Sequence, residues 1–273
     1  MRTLLRVEWL KIKNYNAFKI LGIFFLVGIF LSNYITLRIV TSARESQAGI
    51  IVGSYSPYNF EYVWHTTSWV TGCLLILPAM LMVILVTNEF TYKTNRQNII
   101  DGWSRKQFID VKIAMAGVFA LITVLIAIIV ALVFGFASGT DFSLNKIEYL
   151  LYLLLKAFTY NMVAILFSVL IRRTGFAIGV FFIYLGAENL IGQLLDLWSV
   201  KLREVDKIDL GSMGSYFPMN AADGLMLFPE NPVKSMTSKA IATDYYWLTL
   251  GLALAYLALF IWWSRRKIIK SDL

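Results

Sequence analysis

The chain has 273 residues, which would suit one or two soluble domains, but its composition excludes that class of protein. Hydrophobic residues make up 58% of the chain and charged residues 15%, where a soluble domain has about 25% charged residues. The net charge of +8 is expected to mark loops on the inner side of a membrane, so nucleic acid is not an expected partner. Lipid is therefore the expected surrounding of most of this chain.

The first nineteen residues are basic and partly apolar. Leu5, Trp9 and Ile12 are spaced i, i+4, i+7, which predicts an interfacial helix over 1–19 lying on the inner leaflet. Glu8 interrupts this apolar stripe, so the alternative is a basic leader that only fixes the membrane topology. Because the basic region is long and no small-residue cleavage site follows it, this segment is expected to be retained rather than removed as a signal peptide.

Six apolar segments are each long enough to cross about 30 Å of hydrocarbon, which takes about 20 helical residues. Backbone groups must be paired within each segment inside a bilayer, and this requirement favours helices. The predicted fold is an all-α membrane protein with a single transmembrane domain over 1–273. Its predicted spans are 20–37, 63–87, 113–138, 147–171, 176–198 and 245–264.

Lysine and arginine are roughly twice as frequent in the segments on the N-terminal side of the membrane as on the other side, which predicts cytoplasmic termini. The loop 199–243 is then external. It contains apolar residues around Phe217 and Pro218, and we therefore expect it to pack as a small cap over the helices.

The stretch 88–112 between the second and third spans is longer than a simple connection requires. Gly102 is free to take a positive φ and indicates a helix end, and Ser104 has the spacing of a capping box that begins the next helix. These signals predict a helix over 88–101, a sharp corner and a second helix. The stretch is either a cytoplasmic knob that another protein grips or a solvated basic loop.

The fifth predicted span is unusually polar in its outer half. Polar and glycine-rich segments are tolerated where the backbone is buried in protein or faces a cavity, which predicts a broken or re-entrant outer half. The residues that carry this prediction are Gly186, Glu188, Asn189, Gly192, Gln193 and Asp196.

Two ionisable residues lie at similar depths in neighbouring spans, Lys156 in the fourth and Glu188 in the fifth. An ionised side chain near the bilayer centre costs ~2.5–3.5 kcal/mol unless it is paired or faces water, so we expect these two to pair. The pair would either line a translocation route or lock two helices together. Asn161 and Asn189 are further polar candidates for the same role.

Enzyme signatures are absent from the sequence: there is no P-loop, zincin motif or nucleophile elbow. One cysteine, Cys73, and one histidine, His65, exclude the usual structural zinc sites. The sequence therefore predicts no catalytic residue, metal site or cofactor on this chain. His65 is assigned to packing near the outer end of a span.

These features together resemble the membrane subunit of the ABC-2 type, or type V, ABC transporters, the permeases of bacterial export systems. Outside the 88–112 stretch the resemblance rests on six spans, a polar fifth span, Phe217-Pro218 and Glu8-Trp9-Leu10-Lys11. Within it the matching residues are Asn88-Glu89-Phe90-Thr91, Arg96-Gln97-Asn98, Gly102-Trp103-Ser104-Arg105 and Lys112. The family usually has a glycine where this chain has Tyr92-Lys93-Thr94.

The resemblance implies a multi-pass subunit of an exporter in the bacterial cytoplasmic membrane. The helix over 88–101 would be a coupling helix docked on a separate ATPase subunit, which would hold ATP and Mg. Two permease copies, most simply a homodimer, would enclose a pore lined by spans one, two and five. The substrate would be a lipid, peptide, drug or polysaccharide. The implied docking residues are Glu89, Phe90, Lys93, Arg96, Asn98, Gly102, Ser104 and Arg105.

Two other functions stay open at this point. An intramembrane enzyme would use Lys156, Glu188 and His65 and would be active without a partner. A non-transporting membrane scaffold or immunity protein would share the fold of the permease.

Overall fold

The computed structural model describes residues 2–45, 56–227 and 245–271, and within these ranges every regular element is helical, as predicted. A single turn of 3-10 helix, Met213–Tyr216, accompanies ten α-helices in this part of the chain. In chain order these are α1 Arg2–Ile12, α2 Asn16–Glu45, α3 Val63–Cys73, α4 Ile76–Thr91, α5 Thr94–Ile100, α6 Arg105–Ala137, α7 Tyr149–Ile171, α8 Thr174–Val205, α9 Asn220–Gly224 and α10 Tyr246–Lys270.

Five described helices, namely α2, α6, α7, α8 and α10, are each long and apolar enough to cross a membrane. The pair α3 and α4 meets the same test together but is bent by 44°, and counting the pair as one span gives the predicted six. Several of these helices extend past the predicted spans, because polar and charged turns continue the helix beyond its apolar part. The third span is an example, since its helix already begins at Arg105.

The predicted break in the fifth span is wrong, because α8 is one continuous helix. The bend lies instead in the second span, where α3 ends at Cys73 and α4 begins at Ile76. Pro78 in the first turn of α4 explains it: proline has no N–H to donate back along a continuous helix, and its ring clashes with the carbonyl four residues earlier.

The centre of the bundle is α7, which packs against α3, α4, α6, α8 and α10. Its residues Leu153, Met162 and Ile165 are fully buried in the core. By contrast, α2 and α8 are mostly exposed along their apolar lengths and touch the bundle along one side.

The predicted helix over 1–19 is two helices, since α1 ends at Ile12 and the chain turns into α2 at Asn16. The start of α6 packs on α1, and Arg105 of α6 donates to the Ile269 carbonyl of α10 at 3.3 Å. The beginning of the chain and the end of α10 therefore share one side of the bundle. We call the side that carries α1 and α5 the basal face.

The opposite end of the bundle carries a cap, defined as residues 206–227. It holds the 3-10 turn and α9, and its residues Met219, Ala222 and Leu225 are buried against the helices. The predicted loop 199–243 therefore packs on the helices over 206–227, whereas its first residues, 199–205, continue α8. Residues 228–243 of the predicted external loop lie outside the described residues.

Candidate functional site

Four charged side chains from three helices meet at the basal face. The Lys112 Nζ atom of α6 lies 2.6 Å from Glu8 Oε2 of α1 and 2.7 Å from Glu89 Oε1 of α4. The Lys11 Nζ atom lies 2.9 Å from Glu8 Oε1 and 3.2 Å from Glu89 Oε1. Two positive and two negative charges are thus matched, and we call this group the basal cluster.

Three members of the basal cluster are buried, whereas the Lys11 side chain is 37% exposed. Buried ions lose hydration worth several kcal/mol each, so such a group is stable only when every charge keeps its partner. The cluster therefore fixes α1, the lower end of α4 and the start of α6 relative to one another. It also explains why Glu8 interrupts the apolar stripe of α1, since this face of α1 points at Lys112 and not at lipid.

Electrostatics at the cluster give opposite pKa shifts for acid and base. Burial alone would raise the pKa of Glu8, but the charges and hydrogen bonds of Lys112 and Lys11 outweigh it and hold the pKa below its ordinary value of 4.5. Burial alone would lower the pKa of Lys11, but the carboxylates of Glu89 and Glu8 raise it above its ordinary value of 10.5. Both shifts favour the charged forms.

These shifts predict how α1 responds to pH. The contribution of Glu8 to stability is complete above pH 4.5 and is lost as the pH falls through its lower folded-state pKa. The contribution of Lys11 is complete below pH 10.5 and is lost as the pH rises through its higher folded-state pKa. We therefore expect the melting temperatures of wild type and Glu8→Gln to differ by a constant amount at neutral pH and to converge below pH 4.5.

Glu204→Gln is the matched control for this measurement, because Glu204 is an exposed carboxylate on α8. Its melting temperature should follow that of wild type at every pH. A gap between wild type and Glu8→Gln that persists unchanged in acid would contradict the ion pairing of Glu8.

The loop after α4 forms the predicted corner. Gly102 has φ 100°, and Ser104 makes both bonds of the capping box, accepting from the Gln107 backbone amide at 3.1 Å and donating its own amide to Gln107 Oε1 at 2.8 Å. The predicted helix over 88–101 is shorter than expected, because Lys93 takes φ 56° and separates α4 from α5. That left-handed conformation favours glycine, the residue that the resembled family usually has in this stretch.

The predicted docking residues fall into three groups by the exposure of their side chains. Glu89 and Asn98 are buried, so their side chains are not placed to touch another subunit. Phe90 is half-buried between the Phe108 ring and the Arg172 guanidinium. The exposed residues are Lys93, Arg96, Gly102, Ser104 and Arg105.

Two exposed apolar residues of this loop were missed by the sequence reasoning. The side chain of Ile100, at the end of α5, is 84% exposed, and that of Tyr92, just before α5, is 73% exposed. The sequence signal for an exposed apolar residue here was Ile100, which lies at the last position of the mainly polar helix α5. We call Tyr92, Lys93, Arg96 and Ile100, four exposed residues in or beside α5, the loop tip.

The predicted ion pair between Lys156 and Glu188 is wrong. The Lys156 Nζ atom lies 3.1 Å from Asp223 Oδ1 on α9 of the cap. The Tyr160 hydroxyl, one turn further along α7, donates to both oxygens of Asp223 at 3.2 and 3.1 Å. Asp223 is distant in sequence, and no helical spacing indicated that it would fold back on the fourth span.

The carboxylate of Glu188 instead holds the backbone of the cap. Its Oε1 atom accepts hydrogen bonds from the amides of Met219 at 2.5 Å and Asn220 at 2.9 Å, where α9 begins. One turn beyond Gly192, the Asp196 Oδ1 atom accepts from the Gly214 amide at 2.7 Å.

Glu188, Gly192 and Asp196 recur every fourth residue, so they form one stripe along α8. Gly192 leaves room for the cap, because an added Cβ would meet the side chain of Asn220 and the backbone of Gly214. Glu188, Gly192 and Asp196 of the fifth span thus receive the cap, within a helix that is continuous.

The two asparagines do not join these groups. Asn161 is buried and donates to the Ala116 carbonyl of α6 at 3.2 Å, whereas Asn189 is exposed and donates to the Leu185 carbonyl of its own helix at 3.3 Å. His65 stacks on Tyr149 with 3.5 Å between ring centroids and packs beneath the cap.

Residues 4–187 match the family model of the ABC-2 family transporter proteins, which is well over half of the chain. The chain belongs to this family. The matched region of the ABC-2 protein includes the basal cluster, the loop tip and Lys156, and it ends just before the α8 stripe. No curated protein matches the chain.

Family membership makes this ABC-2 protein a multi-pass membrane component of an ABC transporter. Membrane proteins of the ABC-2 family work with ABC ATPase subunits. The tip and the basal cluster of this ABC-2 protein both lie within the part of the chain that the family model matches.

Proposed function

We propose that this protein is the permease of an ATP-driven exporter in the bacterial cytoplasmic membrane, with its basal face in the cytoplasm. A separate ABC ATPase subunit, which holds ATP and Mg, docks on the loop tip. The observation that carries this proposal is the tip itself, an exposed apolar surface mounted on a basal face held by buried ion pairs. The excess of lysine and arginine on this side supports the orientation.

The chemistry of the tip supports docking on a protein rather than simple solvation. Ile100 and Tyr92 expose most of their apolar side chains, and apolar and aromatic residues of this kind carry much of the binding energy in interfaces. Lys93 and Arg96 flank them and are exposed. A groove with an apolar floor and an acidic rim would complement this surface.

The basal cluster supplies a route from the docked loop to the spans. Glu89 lies at the end of the second span, directly before α5, and its carboxylate is bonded to Lys112 of the third span. Lys112 is bonded in turn to Glu8 of α1. A displacement of α5 would thus reach α4, α6 and α1 together, because Lys112 is buried between Glu8 and Glu89 and both of its ion pairs resist separation.

A second permease copy completes the proposed transporter. The first and fifth spans, α2 and α8, are the described spans least buried by the rest of the chain. Exposed spans of this kind suit contact with a partner copy. Together with the second span they would line the shared pore. A homodimer is the simplest assembly with this symmetry. Lipids, peptides, drugs and polysaccharides are the proposed substrate classes.

The pairs at the cap favour a structural role for Lys156 and Glu188. Both side chains fasten the cap to the bundle, Lys156 through Asp223 and Glu188 through the backbone of α9. Because each has its own partner and His65 packs on Tyr149, these residues do not form one shared catalytic group.

Ile100→Glu tests the docking. We expect this variant to bind its ABC ATPase subunit about thirtyfold more weakly, as for loss of a hot-spot side chain. The measurement is co-purification from membranes followed by titration of the purified ATPase. Arg96→Glu should weaken binding in the same direction.

Ile269→Glu is the matched control, because Ile269 is an exposed isoleucine on the basal face but lies outside the tip. It should bind the ATPase as wild type does. If Ile100→Glu and Ile269→Glu retain the partner equally, the tip is not the docking surface.

A further inference from the structure

A lateral groove of about 410 Å³ runs between α2, α4 and α6. It begins near the basal face at Phe18 and Lys19 and reaches Leu77 and Pro78, where the second span bends. Its walls are apolar apart from Lys19 and Thr123. The groove lies between helices of the first, second and third spans, so it is at membrane depth.

The bend and a glycine both border this groove. The 44° bend lies before Pro78, and the first turn of α4 after it supplies Leu77 and Pro78 to the groove wall. Gly22 lies on the groove wall, and a Cβ added there would meet no heavy atom within 4 Å. An apolar groove left empty loses the dispersion contacts of its lining atoms, so a hydrocarbon chain is favoured inside it.

The dimensions fit one leaflet. The lining residues of α2 run from Phe18 to Leu26, a rise of about 12 Å along the helix. Half of the hydrocarbon thickness is about 15 Å. An acyl chain that enters from the basal side would therefore end close to the bend.

The positive charge of Lys19 at the basal end of the groove favours an anionic lipid headgroup there. Lys19 is exposed and lies one turn inside the start of α2, where the bundle meets the headgroup region. Lys13, in the turn before α2, is also exposed. Cations at this depth attract anionic lipids of the adjacent leaflet.

We propose that the groove binds one acyl chain of an anionic phospholipid from the basal leaflet, with its phosphate at Lys19. The lipid fills the space between the first span and the bent second span. It thereby supports the position of α4, whose lower end carries Glu89 of the basal cluster. This lipid is a resident component of the folded protein, and its binding does not depend on the ATPase or on the identity of the transported substrate.

Native mass spectrometry of the purified full-length protein tests the proposal, with phosphatidylglycerol and phosphatidylcholine added in turn as probes. The Cβ of Gly22→Phe would meet no heavy atom within 4 Å and its ring would occupy the groove, so we expect this variant to abolish the retained phosphatidylglycerol. Lys19→Glu should weaken phosphatidylglycerol binding by about fivefold or more and remove the preference over phosphatidylcholine. Gly22→Leu replaces Gly22→Phe if the larger residue prevents folding.

Two controls separate the groove from general effects. Gly251→Phe adds the same ring at an equally open glycine on α10, and Lys267→Glu reverses an exposed cation near the end of α10. Both should retain the lipid as wild type does. Equal retention in Gly22→Phe and Gly251→Phe would overturn the proposal. So would a change of oligomeric state in Gly22→Phe with unchanged lipid, because a second copy would then be what covers the groove.

Discussion

Lys112→Met is expected to destabilise the protein by about 3–5 kcal/mol, the usual cost of removing one partner from a buried ion pair. Lys112 is fully buried between Glu8 and Glu89, and after the substitution Lys11 alone must serve both carboxylates. Thermal unfolding in detergent or nanodiscs measures the effect. Lys106→Met removes the same side chain from an exposed position of the same helix and should unfold like wild type.

The reason for the loss can be tested by removing the stranded charges. Glu8→Gln and Glu89→Gln in the Lys112→Met background leave no buried carboxylate without a cation, so most of the lost stability should return. A triple variant as unstable as Lys112→Met would show that packing of the lysine stem, and not its charge, holds the basal face. A Lys112→Met protein as stable as Lys106→Met would refute the basal cluster altogether.

Lys156→Met is expected to have the second largest effect, about 3 kcal/mol, because it breaks the ion pair that fastens the cap to α7. This expected loss lies at the lower end of the range of about 3–5 kcal/mol for a broken buried ion pair. The reason is that the Asp223 side chain is 29% exposed and keeps its hydrogen bonds from Tyr160. Amide hydrogen exchange should accelerate in residues 212–224 of the cap before it changes in α7.

Lys201→Met is the control for this variant, since Lys201 is an exposed lysine on α8. It should leave exchange in the cap unchanged. The double variant Lys156→Gln and Asp223→Asn replaces the ion pair by neutral hydrogen-bonding groups and should recover part of the protection. If cap exchange in Lys156→Met equals that in Lys201→Met, the ion pair of Lys156 does not hold the cap.

Local signals in the sequence predicted local structure well. Each predicted span lies within or closely overlaps described helix, and the capping box at Ser104 and the positive φ of Gly102 are both present. These features depend on residues at most a few positions apart. Pro78 is also a local signal, because a proline in an apolar span indicates a bend. The polar residues of the fifth span are a weaker signal, since a helix can remain continuous where such residues have partners.

Long-range partners were beyond the reach of helical spacing. Lys112 and Glu8 are 104 positions apart. Lys156 lies in α7, whereas its partner Asp223 lies in α9 of the cap, which follows the end of the fifth span. The similar membrane depths of Lys156 and Glu188 predict an ion pair, but depth does not indicate which way each side chain faces around its helix. The orientation of Glu188 toward the cap follows only from the packed structure.

The α8 stripe has a consequence for how this protein is made. Glu188 and the Asn220 amide that it binds are separated by 32 positions, so the fifth span emerges from the ribosome before its partner exists. At about 5–20 residues per second, this interval lasts about two to six seconds. During that time Glu188 lacks the two cap amides that it accepts from in the folded protein, so the cap can dock on α8 only after the fifth span has been made.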